Sequence, residues 1–325
     1  ADILKNNFSK LLAGIKLDCI SLNFIVNNFS TNILSLLKEE IDEQGISPNK
    51  IRGSINFDPI GYFSLNGNYC CKSEEISLQN SKNLIEFAKE NLPNFQVLAV
   101  DGKNFHNAGS SIVQELAFSL SAGNEYLANL TDLGLSIDDI SSHMQFNFAV
   151  GSNYFMEIAK IRAARLLWSK IVDSYKPTDK NSCLMKIHSE TSKWNQTIYD
   201  PYVNLLRTTT EALSAIIGGT DSLTVLPFDS AFKTTDEFSE RIARNQQNLL
   251  KEEAYIDKII DPSAGSYYVE NLTNSIANEA WKIFVEIENL GGYLLAFKEG
   301  IVQNKIVEIA EIRDNNIAKR KEILL

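Results

Sequence analysis

Short runs of β-branched and aromatic residues alternate along the chain with longer stretches whose apolar positions recur every three or four residues. The runs predict strands at Cys19–Val26, Ile51–Asp58, Phe95–Asp101, Met144–Val150, Cys183–Ser189 and Leu223–Phe228. Between them the spacing predicts amphipathic helices near 31–44, 80–91, 110–128, 153–174, 201–217 and 236–253. A β-then-α repeat of this kind builds a parallel sheet with crossover helices, because parallel neighbours need a connection long enough to return to the same edge.

Three of these helices carry detailed expectations. Asp200 is placed at an N-cap with Pro201 at the first helical position, and Val203, Leu206, Thr210, Leu213 and Ile217 form the inner stripe up to Gly218-Gly219. In the helix over 153–174, Ile161, Ala164, Trp168 and Ile171 face one way, with Lys160, Arg162 and Arg165 off that stripe. In the third, Thr234 and Glu237 have capping-box spacing, and Phe238, Ile242, Asn245 and Leu249 follow as a seam with one polar member. A polar group on a buried seam needs hydrogen-bond partners, and the turn Asp261-Pro262-Ser263-Ala264-Gly265-Ser266 is the candidate to supply them to Asn245.

No low-complexity linker interrupts the series, so residues 1–260 read as one β/α domain. From Ile260 the pattern changes to a loop and short strand, a helix at about 273–289 closed by Gly291-Gly292, and a charged amphipathic helical region over 295–322. Residues 261–325 therefore read as a C-terminal extension packed on the first domain. The strands also carry large side chains, Phe24, Phe57, Phe146, Phe148, Met185 and Phe228. Phe146 and Phe148 share a face by alternation, and the expectation is that such residues fill the interior of the sheet.

Composition narrows the classes. A net charge of −10 over 325 residues argues against nucleic acid or an anionic membrane surface as partner. Cys19, Cys70, Cys71 and Cys183 follow no metal spacing and read as reduced thiols of a cytoplasmic protein. No signal peptide and no apolar run near the ~20 residues of a membrane span are visible. Neither a metal-ligand cluster nor a Gly-rich phosphate loop is evident.

The stretch RIARNQQNLLKEEAYIDKIIDPSAGSYYVE (241–270) resembles the signature of the methylmalonyl-CoA mutases, adenosylcobalamin-dependent isomerases. VGSNYFMEIAKIRAARLLWSKIV (150–172), HSETSKW (188–194) and DPYVNLLRTTTEALSAIIGGTDSL (200–223) are similar to further blocks of that family. The resemblance implies a (β/α)8 TIM barrel, here with about six of eight strands, aligned from the third strand onward. It also implies that the D-x-H-x-x-G cobalamin-binding motif is missing.

Site residues follow from the same resemblance. The Tyr-His pair of the catalytic subunits falls on Lys103-Asn104; a lysine cannot replace a neutral imidazole donor without a large pKa shift, and Asn has no labile proton at useful pH. Glu190 stands for a Gln near the corrin, Lys193 for a Gly, and Ser230 for a Glu that approaches cobalamin; Asn107 is a fourth altered cofactor position. His143 and Gln145 stand where Arg and Ser hold CoA, and Gln79 where an Arg pairs the substrate carboxylate, which a neutral amide cannot do bidentately. His106 and His188 remain as catalytic candidates, each with an ordinary alternative: a hydrogen-bonded loop residue and a satisfied core imidazole. The resemblance is strongest to the small, non-catalytic subunit. That implies a heterodimer with a catalytic large subunit, adenosylcobalamin bound by that partner and none on this chain, with the faces of 273–289 and 295–322 in the contact. Two other readings stay open: a catalytic acyl-CoA mutase with an altered substrate, and a non-enzymatic scaffold homologue.

Overall fold

Each expected strand forms; Met144–Val150 keeps its full span, and the others are shorter, split or shifted by a few residues. A computed structural model describes residues 2–26 and 29–321. Its strands are β1 (Ser21–Phe24), β2 (Arg52–Ile55), β3 (Phe95–Gln96), β4 (Leu98–Asp101), β5 (Met144–Val150), β6 (Ile187–Thr191) and β7 (Ser222–Thr224). The helices are α1 (Asp2–Leu12), α2 (Ser30–Glu43), α3 (Pro59–Asn66), α4 (Glu74–Asn91), α5 (Lys103–Asn107), α6 (Ile112–Asp132) and α7 (Ile137–Ser142). They continue with α8 (Tyr154–Ser174), α9 (Asn204–Gly218), α10 (Glu237–Asn248), α11 (Tyr267–Asn289), α12 (Tyr293–Lys298) and α13 (Ile301–Ala318). The protein is thus an α/β fold with parallel sheets and mostly helical content. Position 322, the expected end of the last helical region, lies outside the described residues.

The chain divides into two compact units. The first comprises residues 1–100, 126–145 and 175–182. There β1, β2 and β3 pair in parallel, with Leu22 opposite Gly53 and Gly53 opposite Phe95. Gly53 has φ +145°, and a Cβ at this position would sit 1.8 Å from the Leu22 carbonyl oxygen, so no other residue fits the pairing. The expected strand over 95–101 is split because it changes partner: the amides of both Val97 and Leu98 donate to the His143 carbonyl, at 2.8 and 3.0 Å. Asp58 caps α3 by accepting from Gly61 N and takes the hydroxyl of fully buried Tyr126 at 2.6 Å.

The second unit comprises residues 101–125, 146–174 and 183–325. Within it β5, β6 and β7 are parallel, with Asn147 opposite His188, Ala149 opposite Glu190, and Glu190 opposite Thr224. Helix α8 packs against α9 and α11. The ring of Phe146 meets Trp168 of α8 edge-on at 4.6 Å, and a Cβ on Gly123 of α6 would strike both rings. Phe146 and stacked Phe148 therefore point to the helices, leaving the opposite strand face to polar side chains. The parity of the Phe pair was legible in the sequence, and the expected filling of the interior was not, because alternation does not say which face is which.

Several local expectations change for a common reason. In α9 the buried residues include Asn204, Thr208, Glu211, Ala215 and Gly218, while Leu206 is 68% exposed. The polar residues turn inward because their hydrogen bonds are there: Asn204 Nδ2 donates to the carbonyls of Thr197 and Phe228, both at 2.9 Å. Residues Pro201–Val203 form a separate 3-10 turn, with Asp200 at φ 46° and no side-chain cap. In α10 the cap is Asp236, which exchanges hydrogen bonds with Ser239, rather than Thr234 with Glu237. Its Ser239, Ala243 and Gln246 face turns inward, and Asn245 is exposed. The Gln246 amide donates to Leu205 O and the hydroxyls of Thr208 and Thr209. The expected turn clamps a different residue: Asp261 and Glu270 hold the Arg162 guanidinium of α8, Glu270 at 2.8 Å. No short strand precedes α11, whose first residue is Tyr267.

Candidate functional site

The polar strand face gathers at the carboxyl ends of the strands of the second unit. Glycine places the first member: Gly102 caps α5, and a Cβ there would lie 2.4 Å from Ser119 Oγ and 3.1 Å from the Asn147 carbonyl oxygen. The next residue, Lys103, reaches Glu190 Oε2 at 3.1 Å and Asp101 Oδ1 at 3.8 Å. Burial works against its charge, yet the two carboxylates outweigh it and hold the ammonium above its usual pKa. His188 lies two residues before Glu190, on the same strand face. Its Nδ1 bonds Ser222 Oγ at 2.8 Å and its Nε2 bonds Thr224 Oγ1 at 3.2 Å. Burial, aided by the Lys103 cation, drops His188 to about 4, so the imidazole is neutral at pH 7.

Beneath this face lies a cluster of buried charge. Lys160, fully buried on α8, donates to Glu115 Oε2 at 2.7 Å and to the Ala149 carbonyl at 2.6 Å, and meets Glu157 Oε2 at 2.7 Å. The two carboxylates reach on to the backbone, Glu115 accepting from Ala149 N and Glu157 from Gly151 N. Burial opposes ionisation of Lys160 and of Glu115, but each charge outweighs that cost for the other: the lysine is raised and Glu115 lowered from the ordinary values. His106 joins the cluster, with Nε2 2.7 Å from Ser192 Oγ and Nδ1 3.5 Å from Glu115 Oε2. Glu211 accepts from Ser192 N at 3.2 Å and from Asn195 Nδ2 at 2.5 Å. Burial pushes its carboxyl up to about 8, so it is largely protonated at neutral pH.

The structure thus brings Lys103, Glu190 and His188 together, and places His106, three residues beyond Lys103 on α5, against Ser192. Asn104 is half-buried on α5, whereas Asn107 and Lys193 are exposed. Ser230 Oγ donates to Gln196 Oε1 at 3.1 Å, apart from the Lys103 group. His143 and Gln145 stand at the amino end of β5, in the first unit; His143 Nδ1 lies 2.8 Å from the Asp139 carbonyl, and burial lowers its pKa. Gln79 is exposed on α4 of the first unit and donates to Asn83 at 3.0 Å.

Glu115, Glu157 and Glu211 escaped the sequence reading, and Lys160, expected only as a charge off the apolar stripe, is fully buried. Glu157 had a signal, since it extends the Ile161, Ala164, Trp168 and Ile171 stripe by one further step of four. Among the described residues no group of three or more side chains is disposed to hold a metal ion, and no helix is long and apolar enough to cross a membrane.

Parallel strands backed by helices, with polar side chains at the strands' carboxyl ends, define the class of α/β proteins that place ligand sites at that end of the sheet. Comparison narrows this class. The family model for methylmalonyl-CoA mutase matches residues 4–325. The chain is 46% identical over 323 residues to the methylmalonyl-CoA mutase small subunit of Porphyromonas gingivalis, covering 98% of this chain and 51% of that protein. It is 39% identical to the methylmalonyl-CoA mutase of Rhizobium meliloti, covering 97% of this chain and 44% of that protein. To the methylmalonyl-CoA mutase large subunit of Porphyromonas gingivalis it is 35% identical, again over 97% and 44%. The chain belongs to the methylmalonyl-CoA mutase family. It spans about half the length of the curated relatives it matches.

Proposed function

We propose that this chain is the non-catalytic small subunit of a heterodimeric methylmalonyl-CoA mutase. Its catalytic large subunit binds adenosylcobalamin and interconverts methylmalonyl-CoA and succinyl-CoA. On this reading residues 1–260 are the later part of a (β/α)8 barrel, residues 261–325 pack on it as an extension, and the complex works in the cytoplasm. The observation that carries the proposal is the Lys103–Glu190 pair, 3.1 Å apart on the polar strand face. The family resemblance puts a Tyr and a Gln at these two positions. Here the two side chains spend their hydrogen bonds on each other, and the neighbouring His188 is neutral down to about pH 4. An imidazole of that pKa cannot serve as a general acid near pH 7.

The residues present also do not fit cobalamin. His106 and His143 are buried, and His188 is hydrogen-bonded through both ring nitrogens, which supports leaving the cobalt ligand to the partner subunit. One observation favours the second reading, a catalytic acyl-CoA mutase with another substrate: Phe146 and Phe148 face the helices and do not plug the polar face.

Co-expression with the large mutase subunit tests the proposal. The expected result is a stable heterodimer in size-exclusion chromatography, with turnover lost when the large subunit alone is inactivated. The double variant Lys103→Tyr/Asn104→His should give this chain no turnover of methylmalonyl-CoA with adenosylcobalamin. Turnover of any acyl-CoA by the isolated chain would establish the second reading. A stable monomer with no association at micromolar concentration would point instead to a scaffold homologue.

A further inference from the structure

The adjacent cysteines Cys70 and Cys71 lie in the first unit, in the turn that joins α3 to α4. In an extended chain successive side chains point to opposite faces. Here the two sulfur atoms converge instead, to 3.6 Å. Both residues are half-buried, so neither is closed off from solvent.

The turn is pinned on either side of the pair. Before it, the Tyr69 ring stacks on Phe63 at 4.6 Å, and the Tyr69 hydroxyl donates to Glu74 Oε2 at 2.9 Å. After it, Ser73 N donates to the Cys71 carbonyl at 2.9 Å across Lys72, whose φ is +69°. A lysine adopts that left-handed conformation only where its surroundings impose it. Ser73 then caps α4 by accepting from Ile76 N at 3.3 Å. These contacts hold the backbone that carries both sulfurs, so their approach is built into the fold.

The chemistry of the site separates the possible uses of such a pair. A disulfide fits poorly, because Cα atoms joined by a trans peptide are about 3.8 Å apart, below the ~4.4–6.8 Å of ordinary disulfides. A divalent metal ion requires thiolates and further ligands. Burial pushes Cys70 up to about 12, and the hydrogen bond to Cys71 and the Asp58 carboxylate act in the same direction, so anionic sulfur is disfavoured. Among the described residues no third metal-binding side chain joins the pair. The arrangement suits a group that replaces both thiol protons, is neutral once bound and spans the gap with a single atom.

We infer that Cys70 and Cys71 form a covalent capture site for trivalent arsenicals. With an arsonous acid, R–As(OH)2, two As–O bonds break and two S–As bonds form. Each thiol proton leaves on a departing hydroxyl as water, and arsenic stays trivalent throughout. The product carries no charge, so the burial that opposes a thiolate does not oppose it. Two sulfurs bonded at about 2.3 Å to one centre, at near-tetrahedral angles, stand roughly 3.5–3.8 Å apart. The pair already has that spacing. This site does not rest on the mutase reading.

Phenylarsine oxide, added at one equivalent to the reduced, purified chain, tests it by intact mass spectrometry and titration of free thiols. One adduct per chain is expected, with two of the four cysteines protected. An excess of 2-mercaptoethanol should leave the adduct in place, whereas dithiothreitol should remove it. The double variant Cys19→Ser/Cys183→Ser should keep the adduct. Cys71→Ser, with folding verified by circular dichroism, should weaken capture at least about tenfold and make it reversible by 2-mercaptoethanol, since the second bond is no longer intramolecular. Unfolding in urea should also weaken capture about tenfold, because the sulfurs are then not held together. The proposal is overturned if no adduct resists 2-mercaptoethanol, or if a resistant adduct persists in Cys71→Ser or requires Cys19 or Cys183. It is equally overturned if the unfolded chain captures as tightly as the folded one.

Discussion

Replacing Lys160 by Met tests the buried charge cluster directly. Methionine nearly reproduces the length of the lysine stem, so packing around α8 is kept while the ammonium is lost. Two carboxylates, Glu115 Oε2 and Glu157 Oε2, each lose a partner at 2.7 Å, and the Ala149 carbonyl loses a donor at 2.6 Å. Lys160 and Glu115 are fully buried and Glu157 nearly so, so water cannot compensate. Breaking a buried pair in this way costs about 3–5 kcal/mol. The pH dependence gives a sharper signature. In the parent, the folded-state pKa of Glu115 is lowered, so its contribution is present above the unfolded carboxylate value and is lost on acidification through the folded one. In the variant the balance reverses, because burial then acts on Glu115 without the lysine and raises its pKa. Stability of the variant should therefore fall as pH rises from 5 towards 8, the interval above the unfolded value of about 4.3. Urea unfolding at several pH values, followed by the fluorescence of Trp168 and its two companions, measures this. A destabilisation near 4 kcal/mol at pH 7.5, shrinking to about 1–2 at pH 5, is expected. A loss under about 1 kcal/mol at pH 7.5, or one that does not change with pH, refutes the account.

Three further outcomes follow from the same site. Gly102→Ala pushes a methyl to within 2.4 Å of Ser119 Oγ, so it should cost roughly 1–3 kcal/mol in urea unfolding and disturb α5; an unchanged midpoint would mean that the strands are less tightly packed than described. Glu211, raised to about 8, has a folded pKa above its unfolded one, so its stability contribution declines between the ordinary carboxylate value and pH 8; Glu211→Gln should remove that slope, while its single amide oxygen keeps only one of the two bonds accepted from Ser192 N and Asn195 Nδ2. His188, at about 4, should keep neutral-imidazole proton chemical shifts in NMR down to pH 5; because its folded pKa is depressed, stability falls as pH drops from about 6.5 towards 4, and a midpoint near 6.5 would contradict its burial.

Much of the fold was legible in the chain itself. Apolar runs of period two and stripes of period three to four fix the order of strands and helices through local backbone preference and short-range side-chain spacing. The β5 run Met144–Val150 and the long helix over α8 were placed almost to the residue on that basis. The signature over 241–270 and the blocks around it were equally visible, since a resemblance of motifs is a property of sequence. What the chain alone did not determine was which side of each element turns inward. The two stripes of α9 and α10 were inverted because Glu211, Asn204 and Gln246 find hydrogen-bond partners in the interior, which offsets the burial of polar groups and leaves Leu206 outside. The Lys103–Glu190 pair joins residues 87 positions apart, and Lys160 meets a glutamate 45 positions away. A charge in a sequence carries its cost of burial but not its partner. Only the tertiary structure supplies the opposite charge at about 3 Å, and with it decides that these residues are paired out of water, with Lys103 and Lys160 held above their usual pKa and Glu115 below its own.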